Sequence, residues 1–506
     1  MKFKLFLTII VLALLSPRLA FAENPDIATA NYLASIQNNP LKVLIFLQGM
    51  PKGGDLHYHR VGGGGSTAEN LMRYGYGEHF CLNRENFTVF KNNNCSPENL
   101  LDNTVNDASL YNATINNWSM RNFHPINKSG HDHFFAVFPK IGALASAHDA
   151  ESLAETANRA GEQNESYLEL MEMPDSDASG MLGKQIGWNS DLAAFRQKLL
   201  ANGLTDIVST MQKNMATMEA KTLTILACGT KHAQPGCNVK IHYQYEALRE
   251  QPPEQVFAQL LAGFELVSKD PRFVGINLVQ PEDGYISMRD YHQQMQMIGF
   301  LHNIYPNVHI SLHAGELNSK LVSPEGLRFH MREAIDVAHA ERIGHGVSVA
   351  YETNAEQLLQ EMAKKHVLVE INLSSNEAIL NIKNNNHPLA LYLDHHVPVA
   401  ISTDDEGIIR TTLTFEYQKA ILRYHLPYPT IKSIVRNSLY YSFIPGKNLW
   451  QDDTYKNISK NCAHDTAGST TPSPACQAFL KANEKANLQW DLENRFSQFE
   501  NSFNKK

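Results

Sequence analysis

Two adjacent carboxylates, Asp404 and Asp405, close the apolar run Val397-Pro398-Val399-Ala400-Ile401 through Ser402-Thr403. One such carboxylate can ligate a metal while its neighbour holds a substrate. Three more polar clusters end short apolar runs upstream: Leu56-His57-Tyr58-His59, Leu312-His313-Ala314-Gly315-Glu316 and Arg342-Ile343-Gly344-His345-Gly346. In an extended strand, residues two apart face the same way, so His57 and His59 can reach one ion together. With His313 and Asp404 they offer three imidazole nitrogens and one carboxylate oxygen, which suits a catalytic zinc with a position left for water. A metal of that kind makes hydroxide available near neutral pH. Glu316 then stands where it can give a proton to a substrate, and His345 where it can orient the attacking water or take its proton. Asp405 is left to accept a hydrogen bond from the substrate.

Each cluster alone has an ordinary explanation. The Asp404-Asp405 pair could cap a helix, His345 could be a satisfied core histidine, and His313 to Glu316 could be a turn. A second His-x-His, His131-Asp132-His133, lies in an aromatic-rich stretch of helical pattern. There the two rings diverge by about 200° around the axis, so they are expected at the surface or at a pocket rim. The four clusters gain weight from occurring together, in order, at the ends of strand-like segments.

The elements that must position them alternate along the chain. A first strand ends at His59, and others are expected at 167–171, 221–227, 273–279, 308–312, 342–346, 367–373 and 397–402. Helical patterns at 191–200, 254–268, 291–303, 325–340, 355–365 and 389–395 separate them. Eight strand–helix repeats predict an α/β chain folded as a (β/α)8 TIM barrel, whose strand C-termini meet at one face. A doubly wound open sheet is the alternative, and it predicts no clustering at the first, fifth, sixth and eighth strand ends.

Within the 506 residues, 1–22 read as a signal peptide, with Lys2 and Lys4, an apolar core and Ala20-Phe21-Ala22 before Glu23. Residues 23–49 read as a helical extension, 50–445 as the barrel with an insertion at about 61–130, and 446–506 as a C-terminal extension. Cleavage would remove Lys2, Lys4 and Arg18 and shift the formal charge from −8 to about −11. An acidic, exported chain (periplasmic or extracellular) with no lysine-rich tract is expected to bind neither nucleic acid nor membrane after cleavage. A homodimer stays open. The six cysteines suit disulfides in an exported protein; nearest-neighbour pairing would close three local loops, among fifteen pairings the sequence allows. The run Gly62 to Gly65 lacks the Lys-Ser/Thr ending of a phosphate cradle, and the long insert around it is expected to form a lid or rim over the site.

The run Met50-Pro51-Lys52 through His57 and His59, then His313-Ala314-Gly315-Glu316, Gly344-His345-Gly346 and Ser402-Thr403-Asp404-Asp405, resembles the adenosine deaminase family of metal-dependent hydrolases. With its leader, insert and cysteines, the chain is most similar to the secreted, growth-factor-related branch. The resemblance implies one zinc ion per chain held by His57, His59, His313 and Asp404, and hydroxide adding to C6 of a purine. It implies that Glu316 protonates N1, that His345 positions and deprotonates the water, and that Asp405 contacts N7. Adenosine or 2'-deoxyadenosine would give the 6-oxopurine nucleoside and ammonia. The chain departs from the family at Arg60-Val61-Gly62, Gln280 and Glu406-Gly407, so Arg60 and Gln280 are expected at the substrate and to bear on which 6-aminopurine is taken. Adenine or a modified adenine nucleotide is the alternative substrate, and a non-catalytic secreted binding barrel the alternative role.

Overall fold

The computed structural model describes residues 25–503; the expected signal peptide lies outside them. Eight parallel strands form the barrel: β1 (Gly53–His59), β2 (Glu165–Glu172), β3 (Lys240–Leu248), β4 (Phe273–Val279), β5 (His309–Ala314), β6 (Arg342–His345), β7 (Leu368–Ile371) and β8 (Val399–Ile401). They hydrogen-bond in sequence order. The ring closes where Tyr58 pairs in parallel with Asp404. Closure is therefore part of the site: Asp404 N–H donates to His57 O at 2.9 Å, and His59 N–H donates to Asp404 O at 3.2 Å.

The strands are buried nearly throughout because helices cover their outer faces and side chains fill the interior. Every residue of β2 and β4 is buried. Polar groups do enter the barrel, and they do so in pairs. Arg342 forms ion pairs with Glu169 (2.5 Å) and Glu370 (2.7 Å), and Gln244 donates to Glu169 at 3.0 Å.

Two expected elements differ. The stretch 221–227 is not the third strand; it finishes the 21-residue helix Thr205–Ile225, and the third strand is β3. Alternating Thr, Leu and Ile there mimic a strand, but the helix buries Val208, Met211, Met215 and Thr222 as one stripe and leaves Leu223 exposed. The true strand, rich in His, Tyr and Gln, lacks an aliphatic run. The long helix expected over 325–340 is only His330–Asp336, preceded by a turn through Pro324, Glu325 and Gly326.

Between β1 and β2 the chain builds a layer with its own core. Helices Ala68–Gly75, Ala108–Asn117 and Phe138–Ala147 pack with the antiparallel pair Phe80–Leu82 and Val89–Lys91 around Leu71, Phe80, Trp118 and Ile141. The three disulfides, Cys81–Cys95, Cys228–Cys237 and Cys462–Cys476, join nearest neighbours. The N-terminal extension is two helices, Pro25–Ile36 and Pro40–Gly49, divided where Asn39 caps the second and Pro40 opens it. It packs on the last helix, Glu484–Asn501, through Phe46 and Phe499, whose rings lie 5.1 Å apart. No described helix is long and apolar enough to cross a membrane.

Candidate metal centre and active site

The four clusters meet at the C-terminal face of the barrel. His57 and His59 come from β1, His313 from β5, His345 from β6, and Asp404 follows β8. Asp404 and His345 both hold left-handed backbone conformations, with φ of 66° and 69°. Such a conformation costs a non-glycine residue on the order of 1–3 kcal/mol, and here it turns each side chain off its strand axis into the mouth of the barrel. Asp55 fixes the register from below: it accepts from Thr403 Oγ1 (2.6 Å), Thr403 N (3.0 Å) and His57 N (3.1 Å).

Ligand-type atoms of His57, His59 and His313 lie within 4.8 Å of one another, as do those of His57, His345 and Asp404. Asp404 Oδ1 is 3.4 Å from His59 Nε2 and 3.8 Å from His57 Nε2. Hydrogen bonds set which imidazole nitrogens carry protons. His57 Nδ1 faces Glu370 Oε2 at 2.7 Å. Burial pushes the Glu370 carboxyl up, but Arg342 and His57 hold it below its usual range, so it stays ionised and His57 Nδ1 is the donor. His313 Nδ1 donates to Asn277 Oδ1 at 3.0 Å, an oxygen that also accepts from the amides of His313 and Leu278. Both rings therefore turn Nε2 inward, the nitrogen that the Nδ1–H bond leaves free to offer a lone pair. His57 Nε2 is buried without a hydrogen-bond partner, and His313 Nε2 sits 3.1 Å from His59 Nε2.

Lone pairs so placed call for a cation between them. Burial opposes charge on His59, yet Asp405, Glu246 and Asp404 push it up to about 10, so the surrounding carboxylates favour positive charge at this point of the site. Three neutral imidazoles and a carboxylate fit a divalent metal of the zinc type. Burial and the neighbouring imidazoles hold His313 well below its ordinary value, which leaves it a neutral ligand.

Glu316 is held by Glu282, which accepts from the amides of Gly315 (2.9 Å) and Glu316 (2.7 Å) and is bound by His330 Nδ1 at 2.5 Å. Burial raises the Glu316 carboxyl well above its usual range, and the negative charges of Asp404, Glu282 and Asp283 raise it further. A carboxylic acid that keeps its proton at neutral pH is a donor in waiting. Burial likewise raises Asp405, whose Oδ1 is buried with no partner.

Two glycines make room for these groups. A Cβ at Gly344 would lie 2.6 Å from His57 Cε1, and one at Gly64 would lie 2.0 Å from Asp405 Oδ1. The glycine run after β1 thus serves close approach to Asp405.

A cavity of about 390 Å³ opens over the centre, bounded by His59, His313, Glu316, His345, Asp404 and Asp405. Gln280 also lines it, in a left-handed conformation (φ 82°), with Oε1 accepting from Glu250 N at 2.8 Å. Arg60, expected at the substrate, is elsewhere. It is buried, with NH2 2.5 Å from Glu172 and NH1 3.2 Å from Asp149, and does not line the cavity. A guanidinium so close to Glu172, the last residue of β2, is drawn into that ion pair. The helix Gly130–Phe135 carries the second His-x-His: His131 pairs with Asp283 at 2.9 Å, His133 bonds Ser119 O, and neither joins the centre. Phe134, Phe135 and Phe138 from the same segment wall the cavity.

Residues 125–451 match the family model described as adenosine deaminase. The chain belongs to the adenosine deaminase family. That family is metal-dependent, and the His/Asp cluster is where its metal chemistry would fall. Among curated relatives, the adenosine deaminase of Clostridium acetobutylicum is 31% identical over 137 residues, covering 27% of this chain and 38% of that protein. The adenosine deaminase of Clostridium perfringens is 26% identical over 220 residues, covering 42% and 59%. The chain thus spans about two fifths to three fifths of the length of these relatives. Among solved structures, Arabidopsis ADAL complexed with IMP superposes with a TM-score of 0.51 at 18% identity, over 81% of this chain and 94% of that one. An amidohydrolase from Burkholderia ambifaria with bound Zn gives a TM-score of 0.51 at 11% identity, over 92% and 95%. At these identities the structures testify to the barrel fold.

Sequence reading did not single out Glu282, Glu370, Asn277, Asn376 or Glu246 for roles at the site. Only Glu282 carried a signal, lying beside Gln280 in the run that ends β4.

Proposed function

We propose that the protein is a zinc-dependent aminohydrolase that converts adenosine or 2'-deoxyadenosine and water to inosine or 2'-deoxyinosine and ammonia. The observation that carries this reading is a buried Glu316, its carboxyl raised well above the usual range by burial, in the same small cavity as a three-histidine, one-carboxylate centre. His57, His59, His313 and Asp404 would hold the ion, whose Lewis acidity makes a water oxygen nucleophilic near neutral pH.

The chain's own residues handle the protons. As oxygen adds at C6, Glu316 gives its proton to N1, which quenches the negative charge that addition would otherwise leave on the ring. Burial opposes charge on Asp404, but His345, His57 and His59 hold it below its usual range, so it is ionised and can take the proton the oxygen sheds. That proton passes to the departing amine, and the C6 hydroxyl proton returns to Glu316. Burial pushes His345 down to about 3, which keeps it neutral and suits it to orienting the attacking oxygen. Asp405, with its free buried oxygen, is placed to meet N7.

The cavity favours a neutral substrate. The acidic residues Glu246, Glu316, Asp404 and Asp405 line it, no lysine or arginine does so among the described residues, and phenylalanines close one side. A phosphate would be placed among acidic residues with no lysine or arginine to bind it. Ammonia release from adenosine, 2'-deoxyadenosine, adenine and AMP by zinc-loaded protein tests the reading, with Glu316→Gln as control. Nucleosides should lead by a wide margin; AMP as best substrate, or no turnover of any of them, would overturn it.

The exported, growth-factor-related assignment belongs to the same proposal, supported by three disulfides and the layered insert. N-terminal sequencing of secreted protein should begin at Glu23.

A further inference from the structure

A chain of hydrogen bonds behind His345 starts from a group whose role is beyond choice. A backbone amide can only donate, and Leu389 N–H donates to His387 Nδ1 at 3.2 Å. His387 is buried, and burial with the nearby Arg423 pushes it down to about 4, so it is neutral at pH 7. With Nδ1 accepting, its one proton sits on Nε2, which faces Asn376 Oδ1 at 3.0 Å. The Asn376 amide cannot be turned over without setting two donors against each other. Its Nδ2 therefore points the other way, to His345 Nδ1 at 2.9 Å. Asn372 Nδ2 faces the same nitrogen at 3.4 Å, and Glu316 Oε1 lies 3.6 Å away, beyond hydrogen-bond range. His345 Nδ1 is an acceptor, and the ring's proton is on Nε2, on the side of Asp404 Oδ2 at 3.8 Å, where no protein group takes its hydrogen bond.

We infer that His387 and Asn376 are positioning residues that fix His345 in the Nε2–H tautomer, making it a hydrogen-bond donor to the attacking oxygen and not the group that takes its proton. The inference rests on the deaminase reading only for what His345 faces during turnover; the tautomer itself stands on the hydrogen bonds. A donor there holds a lone pair of the nucleophile in line and leaves the shed proton to a carboxylate. A free His345 Nε2 lone pair would compete for the same proton and point the oxygen the wrong way.

Substitution of Asn376 by aspartate is nearly isosteric and reverses the chain. A carboxylate accepts only, so it would draw the proton of His345 to Nδ1 and leave Nε2 bare. Two-bond proton–nitrogen correlation spectra of zinc-loaded protein should show His345 protonated on Nε2 in the wild type and on Nδ1 in Asn376→Asp. Deamination of adenosine by Asn376→Asp should lose about 10²-fold in kcat with KM within about threefold. His387→Gln keeps an amide donor for Asn376 Oδ1 and should restore most of the rate lost in His387→Leu. A wild-type spectrum with His345 protonated on Nδ1 would overturn the inference even if Asn376→Asp did not fold. So would full kcat in a folded Asn376→Asp. The spectra need no substrate, so failure of the deaminase reading would appear separately, as absent turnover beside the expected tautomer.

Discussion

The two sides of the centre use the same side chain in opposite senses. On one side, His57 and His313 are backed by acceptors, Glu370 Oε2 at 2.7 Å and Asn277 Oδ1 at 3.0 Å, so each ring keeps its proton on Nδ1 and turns a lone pair inward. On the other, His345 is backed by the amide of Asn376 and turns an N–H inward. Lone pairs bind a cation and an N–H binds an oxygen, so the backing partner decides whether a histidine serves the metal or the nucleophile. Composition cannot make that distinction, because every ring is an imidazole.

Several substitutions break or sharpen this contrast. The largest effect is expected from Glu316→Gln, which leaves the centre intact but removes the proton for N1; kcat on adenosine should fall about 10²- to 10⁴-fold while bound zinc stays at one per chain by elemental analysis. Next, Glu370→Leu and Asn277→Leu take away the acceptors behind His57 and His313, and each should weaken zinc binding about 10- to 100-fold in competition with a chelator. Asn376→Asp, on the opposite side, should leave zinc affinity within about threefold. Equal losses from all three would erase the difference between the two sides.

A smaller effect concerns pH. Because Glu316 must be protonated to act, kcat should fall as pH rises through its elevated pKa, which places the limb above the usual carboxylate range. Glu282 is one of the charges that raise Glu316, and Glu282→Gln should move the limb to lower pH while lowering kcat at its maximum only modestly. The smallest effect on catalysis is expected at Arg60. Arg60→Met should leave kcat/KM for adenosine within about threefold, yet lower the unfolding free energy by about 3 kcal/mol in denaturant titration, since it strands the buried Glu172.

Much of the fold and the centre was legible from residue types in order. His57 and His59 could be read because strand periodicity puts residues two apart on one face, and His313 with Glu316 and the Asp404-Asp405 pair because they stand where apolar runs end. Barrel topology then brings strand ends together without reference to any one side chain. The third strand was misplaced because a β-branched, alternating run at 221–227 carries a stronger local signal than the polar strand that replaces it, and only packing against neighbours separates them. Arg60 was read toward the substrate by its place in a motif. Glu172, 112 residues away, ends the neighbouring strand and claims it.

The sequence by itself determined which residue types end the strands, their order along the chain, the alternation that closes a barrel and the presence of a glutamate beside the histidines. Tertiary structure alone decided the protonation pattern. Glu370 reaches His57 across 313 residues, Asn277 reaches His313 across 36, and His387 reaches His345 only through Asn376. Where a proton sits on a buried imidazole depends on the nearest donor or acceptor within about 3 Å, a distance that exists only after the strands have closed.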